Sequence, residues 1–227
     1  MERIFDIFFS TFALLILSPL LIPIIIILRF SGEGEIFFLQ NRIGKDGKIF
    51  KLYKFATMLK NSPNIGTGTV TLKDDPRVLP FGRFLRKTKI NELPQLLNIL
   101  SGDMSIIGPR PQTKRCFEAF PELSRNEIIK VRPGLSGIGS IIFRNEEEMM
   151  DKNNNPDSFY NETLMPYKGS LEQWYVANHN LFLYFCLIFL TILAVINPKS
   201  EYIWKLFKEL PSPPSKIKCH LNYPLND

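Results

Sequence analysis

The 227-residue chain has only two histidines, His179 and His220, and three cysteines, Cys116, Cys186 and Cys219. The histidines are far apart, which argues against a His-based triad or a His-rich metal centre. The cysteines are odd in number and scattered, so neither a disulfide framework nor a zinc-binding spacing is present. Such usage fits a reducing compartment. No internal repeat is visible. The chain starts Met1-Glu-Arg-Ile-Phe-Asp6, with two acids and one base, and no small-residue cleavage site follows, so its first apolar run does not read as a secretory signal. What the chain does have is 45% hydrophobic residues and a net charge of +6. Long apolar runs with a basic balance direct attention to an anionic membrane surface or phosphate-bearing ligands. Aromatics make up 12% of the chain, mostly the 19 phenylalanines. Many lie inside apolar runs, so they read as core or lipid-facing residues, and no nucleic acid partner is expected.

Residues 7–28 form the first apolar run. It is long enough for a straight transmembrane helix. It also carries Ser18-Pro19 and Pro23. Proline lacks an N–H and clashes with the preceding turn. A break at Ser18-Pro19 leaves halves of about 18 and 15 Å, each roughly one leaflet deep. The alternative is therefore a re-entrant helix that returns to the face it came from. The cations that follow (Arg29, Arg42, Lys45, Lys48, Lys51 and Lys54) place that end on the cytoplasmic side in either case. Residues 36–55 predict a β-hairpin, with Gly44-Lys-Asp-Gly47 as its turn and Lys51 and Lys54 on its strand. Residues 61–71 read as a loop. In it Gly66-Thr-Gly68 lacks the flanking strand and helix of a nucleotide fingerprint. Arg77, Arg83, Arg86, Lys87 and Lys89 alternate with Val78, Leu79, Phe81, Phe84 and Leu85. That pattern suits a short amphipathic helix in the headgroup layer, or a solvated basic face.

The segment Lys87-Thr-Lys-Ile-Asn-Glu-Leu-Pro-Gln-Leu-Leu-Asn-Ile-Leu100 runs from cations into a predicted helix. Leu93, Leu96, Leu97 and Leu100 fall on one face. Pro94 is tolerable only in the first turn, which makes Asn91 the expected N-cap and places Glu92 in the first turn. A helix start offers free N–H groups and a positive dipole end, a seat for phosphate. Taken alone, the segment also reads as a plain capped helix. After it, Gly108-Pro-Arg-Pro111 holds Arg110 between two prolines, and Val131-Arg-Pro-Gly134 holds Arg132 on a second stiff turn. A guanidinium on such a turn can meet phosphate bidentately. Asp103, just past the helix, is a candidate carboxylate or a turn former. Residues 116–130 predict one helix and 135–143 a glycine-punctuated strand or loop. Residues 146–157 predict an acidic surface excursion, in which Glu146-Glu-Glu148 reads as solvated charge. Residues 181–196 are apolar but short for a membrane crossing. The Pro-rich residues 211–227 predict a flexible tail without core-forming residues.

Many ordered motifs together resemble one family. They are Glu2-Arg-Ile-Phe-Asp6, the Ser18-Pro19 membrane run, Gln40-x-Arg42-x-Gly44, Tyr53-Lys-Phe-x-x-Met58, Asp75-Pro-Arg77 and Gly82-Arg-Phe-Leu-Arg86. The series continues with Glu92-Leu-Pro-Gln-Leu-x-Asn98, Gly102-Asp-Met-Ser-Ile-Ile-Gly-Pro-Arg-Pro111 and Val131-Arg-Pro-Gly-Leu135. This set is similar to the bacterial sugar transferases, monotopic polyprenol-phosphate phosphoglycosyl transferases, from about the N-terminus to Phe143.

The resemblance implies an enzyme that moves a sugar-1-phosphate from a UDP-sugar to polyprenyl (undecaprenyl) phosphate and releases UMP, with Mg2+ as cofactor. That would be the first membrane step of a surface glycan: O-antigen, capsule or exopolysaccharide. It implies a place on the cytoplasmic face of the bacterial inner membrane, among its lipids, with other glycan-assembly enzymes as possible partners. The expected fold is α+β and mainly helical. A re-entrant helix broken at Ser18-Pro19 occupies residues 1–30. A catalytic domain with amphipathic interfacial helices and a small β-hairpin fills 31–180, and an apolar membrane-associated segment fills 181–210. Glu92 is expected to hold the metal. Lys54, Arg110 and Arg132, with Arg86, are expected at the phosphates.

Three departures from the family pattern stand out. Asn91 occupies the place of the family's nucleophilic Asp, and a carboxamide is a very poor nucleophile at phosphorus. Ala56 replaces an arginine, and Tyr184 replaces an acidic residue. Attack by Glu92, direct attack by the acceptor phosphate, recruitment of Asp103 or another carboxylate, and a catalytically silent scaffold all remain open on the sequence.

Overall fold

The computed structural model describes residues 1–62, 75–144, 146, 149, 155–198 and 200–224. The predicted loop beyond Ser62, with its Gly66–Gly68 turn, and most of the acidic stretch 146–157 lie outside the described residues. The protein is α+β and mainly helical, as expected. It folds into two compact units. The first comprises Phe5–Asn41 and Lys51–Gly102. The second comprises Met1–Ile4, Arg42–Phe50 and the described residues from Asp103 onward.

Helix α1 (Glu2–Phe30) is a single 29-residue helix, of which Phe5 onward belongs to the first unit, and its residues rise about 44 Å along the helix path. Helical structure continues through Pro19 and Pro23, so the Ser18-Pro19 pair does not end the helix; proline inside a helix bends it without terminating it. The reason is local. Pro19 has no N–H to give the Leu15 carbonyl, and the Ser18 hydroxyl donates to that same carbonyl at 2.7 Å. The acceptor orphaned by the proline is thereby satisfied within the helix. The C-terminal half of α1 buries Leu21, Ile24 and Leu28 in a cluster with Phe55 and Leu85. Each such side chain contributes roughly 1.5–3 kcal/mol. Phe8, Phe12, Leu15 and Ile16 on the N-terminal half are exposed.

Strands β1 (Phe37–Ile43) and β2 (Ile49–Phe55) form the predicted hairpin. Its turn is a 3-10 segment, Lys45–Gly47, where Asp46 and Gly47 take φ of 57° and 73°. These are the left-handed values that the Asp-Gly pair tolerates best. The basic segment becomes α2 (Pro80–Lys87). It lies so close to the chain after β2 that a Cβ at Gly82 would sit 2.2 Å from the Thr57 carbonyl oxygen. Arg83, Phe84 and Lys87 are exposed, whereas Arg77 does not belong to this outward face. Arg77 is buried, and its Nη2 pairs with Asp75 Oδ2 at 2.6 Å. Helix α3 (Gln95–Ser101) follows a 3-10 turn at Ile90–Glu92.

In the second unit, β3 (Ser105–Ile107) pairs in parallel with β4 (Gly134–Ser136), Ser105 opposite Gly134 and Ile107 opposite Ser136. The helix predicted over 116–130 is two helices, α4 (Lys114–Glu118) and α5 (Glu122–Ile128). Pro121 divides them because it cannot donate to the preceding turn, and it becomes the N-cap of α5. Of the strand or loop predicted over 135–143, Leu135 and Ser136 lie in β4, and Ile138–Ile142 form helix α6 instead. Helices α7 (Met165–Ala177) and α8 (Leu181–Ile196) follow. Asn180 caps α8 by accepting the Leu183 N–H at 2.9 Å. α8 buries Leu183, Tyr184, Leu187, Leu190 and Ala194 and exposes Phe182, Phe189, Ile192 and Val195. It is about 24 Å long, less than a hydrocarbon core. The Pro-rich stretch contributes buried Ile217 and Leu221. Trp204 Nε1 donates to the Leu221 carbonyl at 3.1 Å, and the Tyr167 hydroxyl to that of Pro211 at 2.8 Å. That corrects the reading of this stretch as lacking core-forming residues.

Candidate functional site

Within the first unit, Lys54 Nζ and Glu92 Oε1 meet at 3.1 Å, with both side chains about one-fifth exposed. They come from different elements, the C-terminal part of β2 and the 3-10 turn before α3. The residue that joins these elements is Asn98. It is fully buried. Its Oδ1 accepts the Tyr53 N–H at 2.9 Å, and its Nδ2 donates to the Lys51 carbonyl at 2.8 Å. One carboxamide thus grips β2 just before Lys54 and leaves both of its own polar ends satisfied. Arg86 lies on the same unit, where Nη1 approaches Met58 Sδ at 3.6 Å.

The cap predicted at Asn91 is not formed. Pro94 occupies the N-cap position of α3, with no side-chain cap hydrogen bond. The chain instead enters α3 through successive i→i+3 bonds, Leu93 N–H to Ile90 and Leu96 N–H to Leu93. These move the helix start beyond Asn91. Asn91 is buried, and its Oδ1 has no hydrogen-bond partner among the described residues. The face of α3 also differs from expectation. Gln95, Leu96, Asn98 and Ile99 are buried, while Leu97 is exposed. Ala56, the second departure from the family pattern, is buried, and its N–H donates to the Ile36 carbonyl at 2.9 Å.

Within the second unit, the β3–β4 pairing brings the Gly-Pro-Arg-Pro and Val-Arg-Pro-Gly turns into backbone contact. The Gly134 N–H donates to the Pro109 carbonyl at 2.8 Å, and the Gly108 N–H to Ser136 at 2.9 Å. A Cβ at Gly108 would lie 2.4 Å from the Arg132 carbonyl oxygen, so only glycine allows this approach. The Arg110 turn is held at further points. Tyr175 on α7 donates its hydroxyl to the Ile107 carbonyl at 3.3 Å. Arg42 Nη1 donates to the Pro111 carbonyl at 3.1 Å, and the Ile43 N–H to Gln112 at 3.0 Å. The Arg110 backbone N–H bonds to the carboxyl of Glu172 on α7. Arg110 is nevertheless an exposed residue and Arg132 is half-buried. A rigid backbone therefore presents Arg110 outward, the arrangement that loses least entropy on meeting a phosphate. Asp103 also falls in this unit. It follows Gly102, whose φ of 93° closes α3, and it is half-buried.

Two buried ionisable groups line α7 that the sequence did not single out. Lys168 Nζ pairs with Glu146 Oε2 at 2.6 Å and lies 4.9 Å from the Phe143 ring centre. Glu172 is buried, and loss of water pushes its carboxyl up to about 7, against the smaller opposing pull of Lys168 and of the Arg110 N–H. The signal in the sequence was faint: Lys168, Glu172 and Tyr175 share helical spacing with Leu164 and Leu171. Asn98 was visible only as one letter of a motif, although a polar residue between Leu97 and Ile99 needs a partner when buried. Tyr184, at the usually acidic position, is fully buried.

No cluster of three metal-ligating side chains occurs among the described residues. Mg2+ does not require one. It commonly takes one or two carboxylates and completes its shell with water and substrate phosphates. Glu92, partly exposed and beside Lys54, fits that minimal donor set.

The chain carries a carboxylate–lysine pair, two arginine-bearing turns and a long apolar helix that is largely exposed. The chain belongs to the bacterial sugar transferase family, whose model matches residues 1–198. It is similar to the exopolysaccharide production protein ExoY of Sinorhizobium fredii, 33% identical over 215 residues, which cover 88% of each chain. It is also similar to the UDP-glucose:undecaprenyl-phosphate glucose-1-phosphate transferase of Escherichia coli. That identity is 39% over 155 residues, 67% of this chain and 33% of the relative. The undecaprenyl-phosphate galactose phosphotransferase of Salmonella typhimurium is 31% identical over 216 residues, 89% of this chain and 42% of that one.

Proposed function

We propose that this chain transfers a sugar-1-phosphate from a UDP-sugar to a polyprenyl phosphate at the cytoplasmic face of the bacterial inner membrane, releasing UMP. The Lys54–Glu92 pair, set inside the family motif, is the observation that carries the reading. Glu92 would hold Mg2+ together with the diphosphate, and the ion would supply charge neutralisation there. Lys54, with Arg86, would neutralise phosphate oxygens as charge gathers on the departing UMP, and Arg110 and Arg132 are further candidates for binding phosphate.

Asn91 is no nucleophile, and Glu92 is held by Lys54 at 3.1 Å and assigned to the metal. The attack therefore falls to the acceptor. A polyprenyl phosphate oxygen bonds to the β-phosphorus, and the bond from that phosphorus to the bridging oxygen breaks. UMP leaves with the bridging oxygen, and no proton need move. Phosphoryl transfer depends mainly on in-line placement and charge neutralisation, so an anionic acceptor needs no separate base. The buried carboxamide of Asn91 favours a second reading, a silent scaffold of glycan assembly.

The two readings separate by experiment. Purified full-length protein is given undecaprenyl phosphate, Mg2+ and a panel of UDP-sugars, and UMP is measured. The transferase reading predicts UMP from at least one sugar, with loss on chelating Mg2+. It also predicts a loss of about 100-fold in Glu92→Gln, the scale for removing one preorganised charge contact. Full activity in Glu92→Gln contradicts the metal assignment. No UMP with any sugar favours the scaffold.

A further inference from the structure

Helix α7 presents Lys168, Glu172 and Tyr175 at spacings of four and three, so that they share one face. Tyr175 holds the carbonyl of Ile107, and Glu172 holds the N–H of Arg110. Between these points runs the turn that carries the Arg110 guanidinium. Glu172 is buried, with its Oε1 packed so closely on Gly139 that a Cβ there would lie 2.4 Å away. Its Oε2 has no hydrogen-bond partner among the described residues. A buried carboxyl with an unsatisfied oxygen is costly, and packed apolar residues would serve stability better. Such a group is kept at a cost to the fold when something else depends on it.

We propose that Glu172 is a positioning residue: by accepting the Arg110 backbone N–H it fixes where the Arg110 guanidinium meets a diphosphate. The inference rests on the proposed function, because it takes Arg110 as a phosphate ligand. Without the acceptor, the Arg110 N–H loses the Glu172 carboxyl and the turn is released from that point. The exposed guanidinium shifts with it, although no contact to ligand is removed. Gly139 belongs to the same device, since any side chain there displaces Oε1.

The test uses full-length protein with UDP as the probe, whose diphosphate is recognised whatever the sugar. UDP affinity is measured by calorimetry for wild type, Glu172→Met, Glu172→Gln, Gly139→Ala, Arg110→Ala and the double variant Glu172→Met/Arg110→Ala. Thermal unfolding is recorded for each. Methionine fills the same volume without an acceptor, and glutamine keeps an acceptor oxygen. Glu172→Met is expected to weaken UDP about tenfold, the equivalent of one modest interaction. Glu172→Gln recovers most of that loss. Gly139→Ala reproduces it, and provides the reading should Glu172→Met fail to fold. The double variant binds no more weakly than Arg110→Ala, because Glu172 acts only through Arg110. A purely structural role would change unfolding but leave the effects additive. Wild-type affinity in Glu172→Met and Gly139→Ala, or a loss that adds to that of Arg110→Ala, overturns the proposal while leaving the transferase reading intact. Failure of the wild type to bind UDP overturns both.

Discussion

Asn98 lies near the middle of α3 and uses both ends of its carboxamide on the backbone of β2. The strand it holds carries Lys54, so the lysine's distance from Glu92 depends on a residue without charge. Asn98→Ala is expected to cost about 2–4 kcal/mol, from two stranded backbone groups and a small cavity. Chemical denaturation checks this, and a loss under 1 kcal/mol would show that β2 is held by other means. Glu172 makes a second prediction. Its carboxyl rises from the ordinary value of 4.5 to about 7 in the folded chain. Between these values the folded state binds more protons than the unfolded one. Its contribution is therefore greatest below pH 4.5 and is lost as pH rises to about 7. The difference amounts to about 3 kcal/mol. Comparison of wild type with Glu172→Gln across pH 4.5 to 7.5 should show wild type losing stability relative to the variant as pH rises. Parallel curves would contradict the assignment. Asn91 gives the opposite lesson. As local chemistry it looked like a helix cap, yet the i→i+3 turn at Ile90–Glu92 carries the chain past it.

At the scale of elements, α1 and the hairpin were legible because their signals are local. The apolar run has length, and Gly44-Lys-Asp-Gly47 has the turn residues a hairpin requires. The β3–β4 pairing was not legible. Each strand has three residues, too few for a period, and the partners are 29 positions apart in the register Ser105 to Gly134. Only the Gly108 and Gly134 backbones, in contact, reveal why both turns need glycine. The apolar face of α3 was misread because a buried Asn or Gln that satisfies a neighbouring strand looks, in sequence, like a solvent-facing residue. The lysine and the arginines of the site were legible as motif letters, while the residues that hold them were not. The Ser18-Pro19 pair was legible as the weak point of α1, and the Ser18 hydroxyl satisfies the carbonyl that the proline orphans. The re-entrant course of α1 is a prediction of its own. In inner-membrane vesicles of one orientation, cysteines placed at residues 2 and 34 should react with an impermeant maleimide from the same side. Reaction from opposite sides would establish a straight crossing.

At the scale of the whole molecule, the chain combines a long apolar helix with the residues proposed to meet phosphate, and it belongs to a family of sugar transferases. Of its three departures from the family pattern, the one that bears on the attack is Asn91, a carboxamide at the place of the expected carboxylate nucleophile. The account therefore requires transfer without a protein-bound phosphosugar. The decisive measurement incubates purified protein and Mg2+ with UDP-sugars labelled in the β-phosphate, with and without undecaprenyl phosphate. The protein and lipid fractions are then counted. The account predicts that label reaches the lipid, with stoichiometric UMP, only when acceptor is present, and that none stays on the denatured protein. Label fixed to the protein in the absence of acceptor would contradict it by revealing a covalent route through another carboxylate. No transfer from any sugar, with activity appearing in Asn91→Asp, would contradict it in the other direction by showing that the wild-type chain is silent.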